Sequence, residues 1–144
     1  MSVIPGDMQP FALTLDRFLD HGAKWYPEVE VVTARGNGTL DRIDHAGLRA
    51  RSRRLSAVFA GMGVGQGDCV ATLAWNTRAH METWFAVMGM GAVCHTLNPR
   101  LDESHLLAML ERSRARLLVV SADLAPIARC IAARAECLER VLVI

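Results

Sequence analysis

The sequence predicts an α/β fold, an N-terminal hairpin followed by a mainly parallel sheet with flanking helices. Three observations carry that expectation. From Cys69 onward, short apolar runs alternate with helix-period segments four times, the pattern of strands joined by crossover helices. Capping residues stand where the helical periods begin, at Asp44, Asn76 or Thr77, and Asp102. Upstream, Arg35-Gly36-Asn37-Gly38 supplies a hairpin signal between two strand-like runs.

The elements follow in order. Residues 1–13 hold two prolines and a glycine and read as an irregular arm. Residues 14–144 read as a partial α/β domain. Thr14 is placed to cap a first helix that carries Leu15, Phe18 and Leu19 on one face, and Pro27 closes it. Val29–Ala34 and Thr39–Ile43 read as the two hairpin strands. Asp44 then caps a helix bearing Leu48, Leu55, Phe59 and Met62 at helical spacing. Cys69–Ala74, Ala92–Leu97 and Leu117–Ser121 read as strands. The helix between the first two carries Met81, Trp84, Phe85 and Met88, and the next carries Leu106, Leu107 and Leu110. A last helix bears Leu124, Ile127, Ala128 and Ile131.

The closing run, Arg140-Val141-Leu142-Val143-Ile144, is apolar and has no turn or cap after it. Such a run is expected inside a parallel sheet, buried on both faces. A sheet that stops there reads as interrupted, so these residues are expected to carry scaffold rather than a complete active site.

Composition narrows the function classes. The chain has 144 residues, 51% hydrophobic and 22% charged, with a net charge of +1. That is globular, and it offers no strong field for nucleic acid or an anionic membrane. Residues 1–10 lack a basic segment followed by an apolar core, and no stretch approaches the ~20 apolar residues of a membrane span. The expected location is cytoplasmic. Cys69, Cys94, Cys130 and Cys137 form no C-x-x-C pair and are expected to be reduced, buried thiols.

Each candidate motif has a structural reading that outweighs the chemical one. Gly61, Gly63, Gly65 and Gly67 follow a helix and precede a strand, whereas a phosphate cradle follows a strand and opens a helix. They read as a helix C-cap and a turn. Gly89 and Gly91 read the same way. His80, His95 and His105 lie on separate elements without an i, i+4 pair, so no metal site is assigned; His95 is expected to be a satisfied core or interface group. No serine sits in a G-x-S-x-G elbow. The Met81, Trp84, Phe85, Met88 stripe is expected to pack on the sheet rather than line a fatty pocket. Arg49, Arg51, Arg53 and Arg54 read as a solvated helix face. No catalytic, cofactor-binding or metal-ligating residue is assigned on chemistry alone.

Two stretches are more specific than folding requires: Asp68-Cys-Val-Ala-Thr-Leu-Ala-Trp-Asn76, and Met88-Gly-Met-Gly-Ala-Val-Cys-His-Thr-Leu-Asn-Pro-Arg-Leu101. They resemble the N-terminal region of the adenylate-forming (AMP-binding) acyl-CoA synthetases, above all the medium- and long-chain fatty-acid members. The likeness extends upstream through Leu48–Met62 and the Gly-Val-Gly-Gln-Gly-Asp turn, and downstream to Leu117–Ser121 and Glu139–Ile144. It departs from the family at His45 and Gly47, where an aromatic and an acidic residue are common. Gly47 is expected to weaken the start of that helix by roughly 1 kcal/mol relative to alanine.

The resemblance implies an enzyme that activates a fatty acid with ATP and Mg2+ and then passes the acyl group to CoA. Family members are several times longer, and their phosphate loop, adenosine-binding residues, metal-binding glutamate and catalytic lysine lie beyond the stretch that resembles this chain. Lys24, the only lysine, sits in the first helix and is a poor stand-in. The expected function is therefore that of the N-terminal portion of an ATP-dependent fatty acyl-CoA ligase, inactive as an isolated chain, with none of ATP, Mg2+ or CoA expected to bind tightly to it. The alternative is a non-catalytic binding or dimerisation module derived from such a synthetase. A homodimer is a further expectation, drawn from relatives whose arm contacts a second subunit. A receiver or dinucleotide domain would need an acidic cluster with a lysine, or a strand–glycine–helix fingerprint, and neither is present.

Overall fold

The computed structural model describes residues 14–144, so the arm expected over residues 1–13 lies outside the described residues. Helix α1 (Asp16–Trp25) leads into strands β1 (Glu30–Ala34) and β2 (Leu40–Asp44), then α2 (His45–Gly61) and β3 (Cys69–Leu73). Helix α3 (Arg78–Gly89), β4 (Val93–Leu97), α4 (Glu103–Ser113) and β5 (Leu117–Val120) follow. A single 3-10 turn, Ala122–Leu124, precedes α5 (Ala125–Ala132) and β6 (Arg140–Val143).

Strands β1 and β2 pair antiparallel, Glu30 opposite Asp44 and Ala34 opposite Leu40. Their connection is not a two-residue Asn-Gly turn. Gly38 N–H donates to Arg35 C=O at 3.0 Å and Gly38 takes φ +81°, which makes a three-residue loop with glycine at the left-handed position. The four remaining strands form one all-parallel sheet in the order β4-β3-β5-β6.

Side-chain alternation along the strands builds two cores. Val70, Leu117 and Val119 face Phe59, Ala86 and Val87 of α2 and α3. Ala71, Leu73, Leu118 and Val120 face Leu106, Leu110, Ala128 and Ile131 of α4 and α5. Full burial of each Val, Leu, Ile or Phe side chain among them contributes about 1.5–3 kcal/mol. The result is a helix–sheet–helix sandwich, as expected for a parallel sheet.

Local signals fix the helix ends. Asp44, Thr77 and Asp102 accept hydrogen bonds from the backbone N–H groups of Gly47, His80 and His105. Gly47 is N3 of its helix, and a Cβ there would meet Asp44 Oδ1 at 2.8 Å; the missing side chain thus leaves room for the cap that the sequence placed in doubt. Helices α2, α3 and α4 all close with the same motif. Val64, Ala92 and Ala115 N–H return to the carbonyls of Phe59, Val87 and Leu110, and the preceding residue is left-handed. In the first two that residue is Gly63 or Gly91; in the third it is Arg114, at φ +51°. The glycine cluster is thus a cap and a turn.

Four expectations, one about a cap and three about burial, are corrected. Thr14 does not cap α1; Leu15 stands at that position without a side-chain hydrogen bond. Of the proposed apolar face only Leu19 is buried, while Leu15 and Phe18 are exposed; the other buried residue of α1 is Gly22, which lies against His45 of α2. The Met81, Trp84, Phe85, Met88 stripe is not the buried face of α3. Thr83, Ala86 and Val87 are, since small side chains let α3 approach α2 closely enough for Ser56 Oγ to donate to Ala86 C=O at 2.8 Å. Strand β6 is an edge strand, with Val141 and Val143 exposed rather than buried on both faces.

Candidate functional site

In an open parallel sheet, ligands gather beyond the carboxyl ends of the strands, at the point where connections diverge to opposite faces. Here that point lies between β3, which feeds α3 on one face, and β5, which feeds α5 on the other. Trp75 spans it. Its backbone N–H donates to Ser121 Oγ at 3.2 Å and its indole N–H to Asp123 Oδ2 at 2.7 Å.

Open space lies on the other side, between the carboxyl ends of β3 and β4. A crevice of 420 Å³ there is lined by Trp75, Asn76, His80, Trp84, Asn98 and Arg100, among others. That volume is in the range of small-molecule sites. A second cavity of 360 Å³ shares Asn76, His80 and Trp84 and opens toward Val31 and Val32 of the hairpin, with Met81 on its wall. Half of the stripe on α3 therefore faces cavities instead of the sheet.

His80 is the pivot of this corner. It is buried, and its Nδ1 lies 3.2 Å from Trp75 C=O while Nε2 lies 2.9 Å from Thr72 Oγ1. A carbonyl can only accept, so Nδ1 carries the proton and Nε2 accepts from the Thr72 hydroxyl. Burial pushes the His80 pKa below its ordinary value, partly offset by the bond to Trp75. The imidazole is therefore neutral at pH 7. Trp84 packs edge-on against it at 6.0 Å and 69°.

Charged groups flank the corner. Arg78 joins Asp41 of the hairpin at 2.9 Å and Glu82 at 2.6 Å, and Arg51 reaches Glu82 at 2.6 Å. Arg49 pairs with Asp20. Two members of the basic run thus make ion pairs with neighbouring helices rather than forming a wholly solvated face. Hydrogen bonds from Arg78 and Arg35 hold the Asp41 carboxyl below the usual range. Arg100 differs: its guanidinium makes no ion pair among the described residues, although it lines the crevice.

At the amino end of the sheet Arg116 clamps three strands. It bonds Glu139 through two nitrogens at 2.7 and 3.0 Å and Asp68 at 2.9 Å. Both acids fall below their ordinary pKa: Asp68 through the Gly65 N–H and then Arg116, Glu139 through Arg116.

The other histidines are dispersed. His105 sits exposed at the start of α4 against Asp102 at 2.6 Å. His95 was expected to be satisfied, but its buried Nδ1 has no partner. Cys130 is exposed, against the expectation of four buried thiols; the other three are partly buried, and burial pushes the Cys94 pKa up to about 12.

Comparison with known proteins adds to this geometry. Residues 19–144 match the family model described as AMP-binding enzyme. The chain is 35% identical over 143 residues to the long-chain-fatty-acid–CoA ligase of Thermus thermophilus, which covers 99% of this chain and 26% of that protein. It is 32% identical over 126 residues to the 3-methylmercaptopropionyl-CoA ligase of Ruegeria lacuscaerulensis, covering 88% and 23%. A fatty acyl CoA synthetase structure from Mycobacterium tuberculosis superposes with a TM-score of 0.81 over 91% of this chain and 26% of that one, at 22% identity, a likeness of fold. The chain spans about a quarter of the length of the curated relatives it matches.

Proposed function

Because the chain belongs to the AMP-binding enzyme family, we propose that its 144 residues serve as the N-terminal strand-and-helix portion of an ATP-dependent fatty acyl-CoA ligase. The observation that carries the reading is the 35% identity to the Thermus ligase over 143 residues. In such an enzyme a carboxylate oxygen attacks the α-phosphorus of ATP, pyrophosphate leaves, and the CoA sulfur then displaces AMP from the acyl carbon.

The residues present are not fitted to the metal or to the triphosphate. Among the described residues no three His, Cys, Asp or Glu side chains gather where they could hold Mg2+. The strand-to-helix connections after β3, β4 and β5 carry no glycine-rich loop of the kind that cradles phosphates. What these residues do is build one sheet, clamp it at the amino end through Arg116, and hold a walled corner at its carboxyl end. No described helix is long and apolar enough to cross a membrane.

The purified chain should show native far-UV circular dichroism and no fatty-acid-dependent exchange of pyrophosphate into ATP. Exchange above the protein-free rate would overturn the scaffold reading. The intact mass of the native polypeptide carrying these peptides should be several times 15.8 kDa; a native mass near that value would favour a non-catalytic binding module.

A further inference from the structure

The three asparagines of the chain are followed by three different residues. Asn98 precedes Pro99, whose backbone nitrogen has no proton to lose. Asn76 precedes Thr77, whose branched side chain crowds its own backbone nitrogen. Asn37 precedes Gly38, and there no side chain obstructs the nitrogen that follows.

The hairpin loop also sets the Asn37 side chain for reaction with that nitrogen. Thr39 donates twice to Asn37 Oδ1, from its backbone N–H at 3.0 Å and from its hydroxyl at 2.7 Å. A backbone N–H can only donate, so the atom it meets is the carbonyl oxygen, and the NH2 group turns to solvent. A side-chain oxygen held by the N–H two residues on closes an Asx turn, which folds the amide carbon over the intervening Asn37–Gly38 peptide. The same two donors polarise the carbonyl, and they stand where negative charge develops when a nitrogen adds to that carbon. Gly38 N–H itself donates to Arg35 C=O at 3.0 Å, and this bond has to open first. Little opposes the opening. Residues 35–40 are all exposed, and a Cβ at Gly36 or Gly38 would meet no atom within 4 Å among the described residues.

We propose that Asn37 is a site of spontaneous deamidation, an intramolecular acyl transfer assisted by Thr39. Gly38 N gives its proton to solvent hydroxide and attacks Asn37 Cγ. A C–N bond forms, the Cγ–Nδ2 bond breaks, and ammonia leaves with a proton taken from water, closing a five-membered imide. Water then opens the ring at either carbonyl. One route gives aspartate; the other gives isoaspartate, whose main chain runs through the former side chain. One water is consumed, one ammonia is released, one negative charge is gained, and nothing is oxidised or reduced. The aspartate still accepts from Thr39. The isoaspartate adds a main-chain carbon to the loop that sets the pairing of Arg35 with Thr39. None of this chemistry depends on the ligase reading.

Incubating the full chain at pH 8 and 37 °C, with tryptic mass mapping and enzymatic isoaspartate methylation at intervals, tests the site. Trypsin releases residues 36–42 as one peptide, separate from those that carry Asn76 and Asn98. Asn37 should convert to a mixture of aspartate and isoaspartate while Asn76 and Asn98 stay intact. Thr39→Val and Thr39→Ala should each slow the conversion about two- to tenfold, the worth of one hydrogen bond. Thr39→Ser keeps the hydroxyl and should keep the wild-type rate. In the free 36–42 peptide Thr39→Val should change nothing, because no folded turn holds the hydroxyl there. Thr39 is exposed, and an unchanged thermal midpoint at the start shows that the variants are folded. Asn37 left intact over a time that converts the free peptide would overturn the proposal. So would Thr39→Val and Thr39→Ala chains that convert as fast as wild type, or Asn76 or Asn98 keeping pace with Asn37.

Discussion

Trp75 donates its indole N–H to Asp123 Oδ2 at 2.7 Å, across the point where the helices of the sheet diverge to opposite faces. One side chain thereby ties the end of β3 to the turn that follows β5, 48 residues away in sequence. Asp123→Ala should cost about 0.5–1.5 kcal/mol, the usual net worth of a single hydrogen bond. Asp123→Asn keeps an acceptor and should cost less. Urea midpoints of the two variants check this, with a red shift of tryptophan emission expected only for the alanine.

His80 gives the domain an acid-sensitive step. Its folded pKa lies below the ordinary histidine value of about 6.5, so protons bind the unfolded state first as pH falls. Stability is fully present above about pH 6.5 and is lost progressively as pH falls toward the folded value. His80→Gln should flatten that part of the stability-versus-pH curve. Denaturant unfolding between pH 7.5 and pH 5, with equal slopes in both variants, would contradict the assignment.

Arg116 makes a second, more acidic step. Asp68 and Glu139 are both depressed in the folded state, so their contribution is present above their unfolded values near 3.8 and 4.5 and is lost below them. Arg116→Met should lower stability at neutral pH and converge with wild type near pH 2. Part of the Asp68 depression should survive, because the Gly65 N–H bond remains. Circular dichroism melts across pH 2–7 measure the convergence.

Arg114 closes α4 in the left-handed conformation that glycine takes in the two sister caps. That conformation costs an L-residue about 1–2 kcal/mol, and glycine returns about 0.5–1 kcal/mol of that through its freer unfolded chain. Arg114→Gly should therefore stabilise by about 0.5–1 kcal/mol and raise the Tm by roughly 2–4 °C. A fall in Tm would mean that the arginine side chain contributes a contact absent among the described residues.

What was legible in the sequence was local. Asp44, Asp102 and the glycines after α2 and α3 act within one turn of themselves, so their roles read directly from spacing. The buried face of α3 was not legible, because Met81, Trp84, Phe85, Met88 and the set Thr83, Ala86, Val87 both recur at helical spacing. Close approach to α2 selects the smaller set, and only the packed structure expresses that. The crevice escaped for a related reason: Trp75, His80 and Arg100 come from the end of β3, from α3 and from the turn after β4, and sheet order alone brings them together. The edge position of β6 likewise follows from strand order and not from its composition.

The most direct measurement of the central claim is fatty-acid-dependent ATP–pyrophosphate exchange by a chimera in which this chain replaces the matching 143 residues of the Thermus ligase. The ligase account predicts a folded chimera that exchanges pyrophosphate only when a fatty acid is present, at a rate within about tenfold of the parent, since that ratio corresponds to about 1.4 kcal/mol of transition-state stabilisation. A chimera that folds and binds ATP but shows no fatty-acid-dependent exchange would contradict it.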